Sequence, residues 1–230
     1  NHQFMVDLFE MAHDVSQNSI IVDQEPLKKA SKYDGKARTL LELTKQKNTR
    51  ILYDIWGSKT GRLTTKQGSF PIMNLKKELA NCVIPKNNLF VQLDLNGAEI
   101  RTLLSLSNGT YPNEDIHEFN MKNVYRGIGT RDKAKKRFFA WLYNPNSQAL
   151  ESSPYDKQAI LGQYYREEKI HTKFGRQAAC SPFHALNYVL QSHSSDNCLE
   201  RVSKINVFLR DRKSYVAFTI HDCVIIDLHR

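Results

Sequence analysis

Residues 214–228 decide the fold: Tyr215-Val216-Ala217-Phe218-Thr219-Ile220, then His221-Asp222-Cys223, then Val224-Ile225-Ile226-Asp227-Leu228. Two runs of β-branched and aromatic residues flank a short polar break, which predicts two strands joined by a tight hairpin tip. Asp222 sits at that tip. Upstream, Leu89-Phe90-Val91-Gln92-Leu93-Asp94-Leu95 predicts a buried strand over 89–95, and 97–107 turns helical at once. Asp94 closes that strand. Carboxylates at the ends of apolar strands are costly unless something charged meets them. Two that converge can hold divalent cations and support an in-line phosphoryl displacement. Each taken singly also suits a turn or a helix cap.

Around these strands the chain reads as helices. Phe4, Leu8, Met11 and Val15 recur at helical spacing and predict a helix over 1–22. Residues 26–52 read as one or two basic helices broken near Asp34-Gly35, and 57–72, with Gly57, Gly61, Gly68 and Pro71, as mostly loop. Asp115 is placed to cap a short helix at Ile116-His117. Residues 131–143 predict an amphipathic basic helix with Ala134, Phe138, Phe139 and Leu142 on its apolar side, ended by Asn144-Pro145. A further helix is expected over 155–169 and a turn between short strands at 172–176. Two helices follow at 183–193 and 195–211, the second capped by Ser195 or Asp196. The mixture is α+β.

The chain has 230 residues, 33 of them Lys or Arg and 24 Asp or Glu, for a net charge of +9, with 40% hydrophobic residues. That excludes a disordered chain and supplies one sizeable core or a domain with a smaller lobe. No apolar run reaches the ~18 residues of a membrane span. The cationic excess points to a polyanion, most often nucleic acid, against the plainer reading of a surface charged for solubility. Its three clusters, over 28–66, 126–137 and 201–213, are interleaved with aromatics, as a groove would be. The four cysteines are widely spaced without CxxC, as in a reduced intracellular protein. The chain begins without Met and stops soon after the apolar hairpin, so it reads as a piece of a longer protein.

Arg131, Lys135, Phe139 and Tyr143 follow at steps of four and climb one helix face. Two cations followed by two aromatics can grip a triphosphate and stack on a sugar and base; an amphipathic helix with a solvated basic side has the same spacing. Cys180, His184, His193 and Cys198 are metal-capable, but their spacing matches zinc patterns poorly, and core cysteines with surface histidines account for them better.

On these residues the sequence resembles the polymerase domain of family A DNA polymerases, the group of bacterial polymerase I and many phage replicases. Thr60-Gly61-Arg62-Leu63-Thr64-Thr65 is similar to the family's TGRL stretch. Asp94-Leu95-Asn96-Gly97-Ala98-Glu99-Ile100-Arg101 resembles motif A, residues 131–143 resemble motif B, and His221-Asp222-Cys223 resembles motif C. Asp115-Ile116-His117 and Asn187 with Gln191 also fit, and the resemblance spans roughly residues 38–230. It implies a right-hand architecture: an antiparallel palm sheet, helical fingers and a reduced helical thumb. Residues 1–56 would be a thumb-like N-terminal segment, 57–112 palm with motif A, 113–170 fingers, and 171–230 palm with motif C.

The resemblance implies template-directed DNA polymerase activity: nucleotidyl transfer from a dNTP to a primer 3′-hydroxyl with two Mg²⁺ ions, Mn²⁺ a substitute. Asp94 and Asp222 would be the catalytic, metal-binding carboxylates. Arg131, Lys135, Phe139, Tyr143, Glu99 and His117 would bind the dNTP, with Glu99 excluding ribonucleotides. Arg62, Asn187, Gln191 and His221 would touch the DNA primer–template. A phage or viral replicase fragment, working in the cytoplasm of a bacterial host, is the expected source. The pattern departs from the family at Gly97 (usually Gln), at Cys223 (usually Glu), at Phe183 (usually Arg) and in a short stretch from Tyr143 to Thr172. The alternatives are an inactive DNA-binding homologue and a two-metal nuclease; the nuclease has no use for a triphosphate grip.

Overall fold

A computed structural model of the chain describes residues 2–47, 49–107, 109, 112–144, 146–147 and 155–230. The backbone divides into two compact units, Asn1–Asp94 with Asn197–Arg230, and Leu95–Asp196. The chain leaves the first unit at Asp94.

Helix α1 (His2–Gln17) buries Phe4, Leu8, Met11 and Val15, the stripe read from the sequence. It stops short of the expected 22. The β-branched Ile21–Val22 forms strand β1 instead and later pairs with Val83–Ile84. Helices α2 (Gln24–Ala30) and α3 (Gly35–Lys45) are separated at the predicted break, and Ile51-Leu52 lies outside them. Asp23 and Asp34 accept the backbone N–H of Glu25 and Lys36 at 3.0 and 2.8 Å, satisfying donors that each new helix leaves open. Strands β2 (Tyr53–Asp54) and β3 (Thr64–Thr65) pair antiparallel around the loop that carries Arg62. Helix α4 (Lys77–Ala80), strand β4 (Val83–Ile84) and strand β5 (Leu89–Asp94) complete this stretch.

The second unit holds α5 (Ala98–Leu106), α6 (Ile116–Phe119) with a π-helical turn at Asn120–Val124, and α7 (Arg131–Leu142). Gly97 starts α5 at φ 63°, and a Cβ there would meet Ile116 Cγ2 at 2.7 Å. A left-handed backbone and a close neighbour together explain glycine at this position. On α7 the buried residues are Ala134, Phe138, Trp141 and Leu142; Phe139 lies at the rim rather than inside. The core gathers Ile100, Leu103, Phe138, Trp141, Tyr155 and Val189.

Two expectations fail in this unit. The helix expected over 155–169 is α8 (Lys157–Tyr164) only; Tyr165–Arg166 (β6), Lys169–His171 (β7) and Gln177–Ala179 (β8) form an antiparallel sheet. Glu167 and Glu168, both at positive φ, make the turn between β6 and β7. The pair of helices expected at 183–193 and 195–211 is one helix, α9 (Pro182–Leu209). Ser192, His193, Ser194, Ser195 and Asp196 look like a polar break, yet all are buried. Two of them find partners outside the helix: Arg176 pairs with Asp196, and the Lys173 N–H donates to His193 Nε2 at 3.2 Å. His193 Nδ1 lies 2.9 Å from the Val189 carbonyl, so the ring is neutral with its Nδ1–H donating.

Burial holds the pKa of His193 below its ordinary value, and the same cause lowers His117. An unfolded chain therefore binds protons that the folded chain refuses. Stability is full above the unfolded value near 6.5 and declines as pH falls through it toward the folded value. Urea unfolding is expected to show a lower midpoint at pH 5.5 than at 7.5, with a smaller difference in His193→Gln. A midpoint independent of pH in the native sequence would contradict this.

Strands β9 (Tyr215–Ile220) and β10 (Cys223–Leu228) form the predicted hairpin and belong to the first unit. Its sheet has the order β5-β10-β9, all antiparallel. The sequence predicts a buried β5; it is an outer strand, half-buried to exposed along its length, with Leu93 46% exposed. The buried run belongs to the central β10. No helix among the described residues is long and apolar enough to cross a membrane.

Candidate active site

In the first unit, the register of β5 on β10 brings two carboxylates together. Cys223 lies opposite Asp94, so the tip residue Asp222 is one position from the end of β5. Directly opposed antiparallel residues have Cα atoms roughly 4.5–5.5 Å apart. Asp94 is exposed and Asp222 half-buried. Two thiols lie near them. Burial, reinforced by the charges of Asp222, Cys223 and Asp94, pushes Cys198 up to about 12. Burial and then Asp94 push Cys223 up as well. Both sulfurs are therefore held as neutral thiols. The oxygen donors at the tip are the two carboxylates, a set that suits a hard cation such as Mg²⁺, which takes one or two carboxylates and completes its shell from water and substrate phosphates.

His221 opens the tip at φ 52°, exposed to solvent. Arg62 is half-buried in the loop between β2 and β3. Among the described residues no three or more His, Cys, Asp or Glu side chains form an ion-holding group.

The second unit carries the helix-face ladder. Thr130 caps α7, and Arg131 and Lys135 are exposed on it. Arg131 makes a two-pronged contact with Asp115, Nε to Oδ1 at 3.2 Å and Nη2 to Oδ2 at 2.8 Å. The same carboxylate accepts the N–H groups of His117 and Glu118 at the start of α6. Arg131 holds Asp115 down at about 2. His117 is buried with Nδ1 lacking a hydrogen-bond partner, and its ring centroid is 6.1 Å from that of Phe139. It can offer a hydrogen bond rather than a charge. Phe139 and Tyr143 stack at 5.8 Å and 12°. The Tyr143 hydroxyl donates to Glu99.

Beside Tyr143 lies a largely apolar cleft of about 560 Å³, lined among others by Leu142, Gln158, Leu161, Phe183 and Asn187. Phe183 is 64% exposed at this cleft. On α9 the Gln191 amide donates to Asn187 Oδ1 at 2.5 Å.

Sequence alone marks Asp115 as a cap and has no means of showing its second role as the partner of Arg131. It likewise misses Lys157, a buried ammonium that donates to the carbonyls of Trp141, Asn144 and Ser147 and so closes the end of α7 beside Tyr143. A lysine in an amphipathic stretch carries no local sign of burial.

No family model matches the chain, and no curated protein matches it. Among solved structures it is similar to the POL domain of Pol1 from M. smegmatis, solved in complex with DNA primer–template and dNTP. The TM-score is 0.65 at 13% identity, covering 88% of this chain and 46% of that one. The chain thus spans about half of that structure, and the likeness is one of fold: mixed α/β, with small antiparallel sheets and helices, as in a polymerase domain.

Proposed function

We propose that this chain is the catalytic core of a template-directed DNA polymerase. The observation that carries the reading is the strand register that places Asp94 beside the Asp222 tip, within a polymerase-like fold. Asp94 and Asp222 would hold two Mg²⁺ ions. When bound, these supply Lewis acidity at the primer 3′-hydroxyl and neutralise the departing pyrophosphate. The 3′-oxygen forms its bond to the α-phosphorus as the bond to the pyrophosphate oxygen breaks.

The remaining steps belong to the chain's own residues. Lys135 and Arg131 would hold the triphosphate, Arg131 kept in place by Asp115. Phe139 would pack on the sugar, and Glu99 would close the space beside its 2′ carbon. Tyr143, stacked on Phe139, would sit at the templating base. Arg62, Asn187, Gln191 and His221 would touch the primer–template.

The test is extension of a DNA primer–template with Mg²⁺ and four dNTPs; no incorporation alongside salt-sensitive DNA binding would overturn it. Lys135→Ala is expected to raise the dNTP KM by about tenfold or more, the loss of one charge-assisted hydrogen bond to phosphate, with primer–template affinity unchanged. A KM equal to wild type would remove Lys135 from the grip. One observation favours a second reading, a non-catalytic DNA-binding homologue: Cys223, a buried neutral thiol, stands where the family pattern carries a further acid.

A further inference from the structure

The hairpin tip that presents Asp222 is locally strained. His221 occupies a left-handed backbone conformation at φ 52°, which glycine adopts freely and histidine does not. Such a turn persists only when its surroundings determine it from several sides. The first unit supplies these constraints. Strand β9 is the outer strand of its sheet, so its far edge leaves backbone groups without a ladder partner. At Thr219 one side chain takes both: the Tyr53 hydroxyl donates to the Thr219 carbonyl at 2.7 Å and accepts the Thr219 N–H at 2.8 Å. Thr219 Oγ1 in turn donates across the hairpin to the Cys223 carbonyl at 2.7 Å. Cys223 is bonded to Asp222 and lies opposite Asp94. The phenol of Tyr53 is thereby linked in two steps to the backbone on both sides of the hairpin tip that carries Asp222.

We infer that Tyr53 is a positioning residue for the cation site: its hydroxyl clamps Thr219 and through it sets where the Asp222 carboxylate stands relative to Asp94. The inference rests on the reading of those aspartates as a cation-binding pair. Tyr53 itself is buried and makes no part of that pair. Its ring packs inside and only its oxygen reaches the strand edge. Burial raises the phenol well above its ordinary pKa, so the hydroxyl remains a donor at any working pH. Removing the oxygen orphans two buried backbone groups and frees the tip to relax toward an unstrained turn.

The experiment is Mn²⁺ binding to the whole chain, read from the loss of the free-ion paramagnetic resonance signal, with no substrate present. Tyr53→Phe is expected to weaken Mn²⁺ binding about tenfold, the usual scale for a residue that orients a metal ligand without touching the metal. Thr219→Val, which cuts the second link, should weaken it similarly, and the double variant by less than the product, because both act through one path. Asp222→Asn and Asp94→Asn are the controls.

If both aspartate variants bind Mn²⁺ as wild type does, the cation-site reading fails and the positioning role falls with it. If they lose Mn²⁺ while Tyr53→Phe and Thr219→Val keep wild-type affinity, the cation site stands and the positioning role is overturned. A lowered melting temperature with unchanged affinity overturns it too, since a purely structural residue would do that. Should Tyr53→Phe fail to fold, wild-type affinity in Thr219→Val overturns the proposal by itself.

Discussion

Asp222→Ala is expected to reduce Mg²⁺-dependent primer extension by about a thousandfold or more, and Asp94→Ala to do the same. Lewis-acid stabilisation of transition-state charge is worth several kcal/mol, and each ~1.4 kcal/mol is a factor of ten in rate. On the proposed reading Asp94 and Asp222 are the two carboxylate ligands, and no group of three or more His, Cys, Asp or Glu side chains among the described residues offers a substitute for either. The double variant should be scarcely worse than either single one, because residues that act as a unit lose their effect together. DNA affinity should stay level or tighten slightly, since removing a negative charge lessens repulsion of phosphate. Single-turnover extension beside a binding titration at fixed salt makes the measurement. Extension that survives Asp222→Ala would detach the chemistry from the hairpin tip. Loss of DNA binding together with extension would point to a damaged fold instead.

Arg176→Met is expected to destabilise the chain by about 3–5 kcal/mol, the range for stripping one partner from a buried ion pair. Arg176 grips Asp196 through Nε at 3.2 Å and Nη2 at 2.6 Å, and the Asp196 side chain is wholly buried. Burial already pushes the Asp196 carboxyl up, opposed by the guanidinium. Without Arg176 that opposition is gone and the folded state favours the protonated acid. A folded-state value above the unfolded one means that stability falls as pH rises, so the loss should be larger at pH 8 than at pH 5. Replacing both residues, Arg176→Met with Asp196→Leu, should restore much of the stability. Urea unfolding of the three variants decides the matter; a single variant within 1 kcal/mol of wild type would show that the pair contributes little. The same pair explains why α9 continues through a stretch that reads as a break.

What was legible followed from local chemistry. The hairpin at 215–228 was visible because two β-branched runs flank a short polar tip. Asp34-Gly35 marks a break between helices and Asp115 a helix start, because a short oxygen-bearing side chain satisfies an N–H two or three residues on. The stripe of α1 was read residue for residue, since burial of a helix follows its own period. The positions on α7 were only half legible. Spacing put Phe139 and Tyr143 on one face, and they do stack, but Trp141 rather than Phe139 enters the core.

The sequence by itself determined the α+β class, most helix starts, the hairpin, and the two aspartates that end apolar strands. Each of these depends on residues within a few positions of one another. Only the tertiary structure decided that β5 is an outer strand, that Cys223 faces Asp94, that Asp115 holds Arg131, and that α9 does not break. It alone brought Tyr53 to Thr219, 166 residues away. A polar side chain looks the same in sequence whether water or a distant partner will satisfy it. Burial with a partner makes Asp196 part of a helix interior, and exposure without one would have made it a cap.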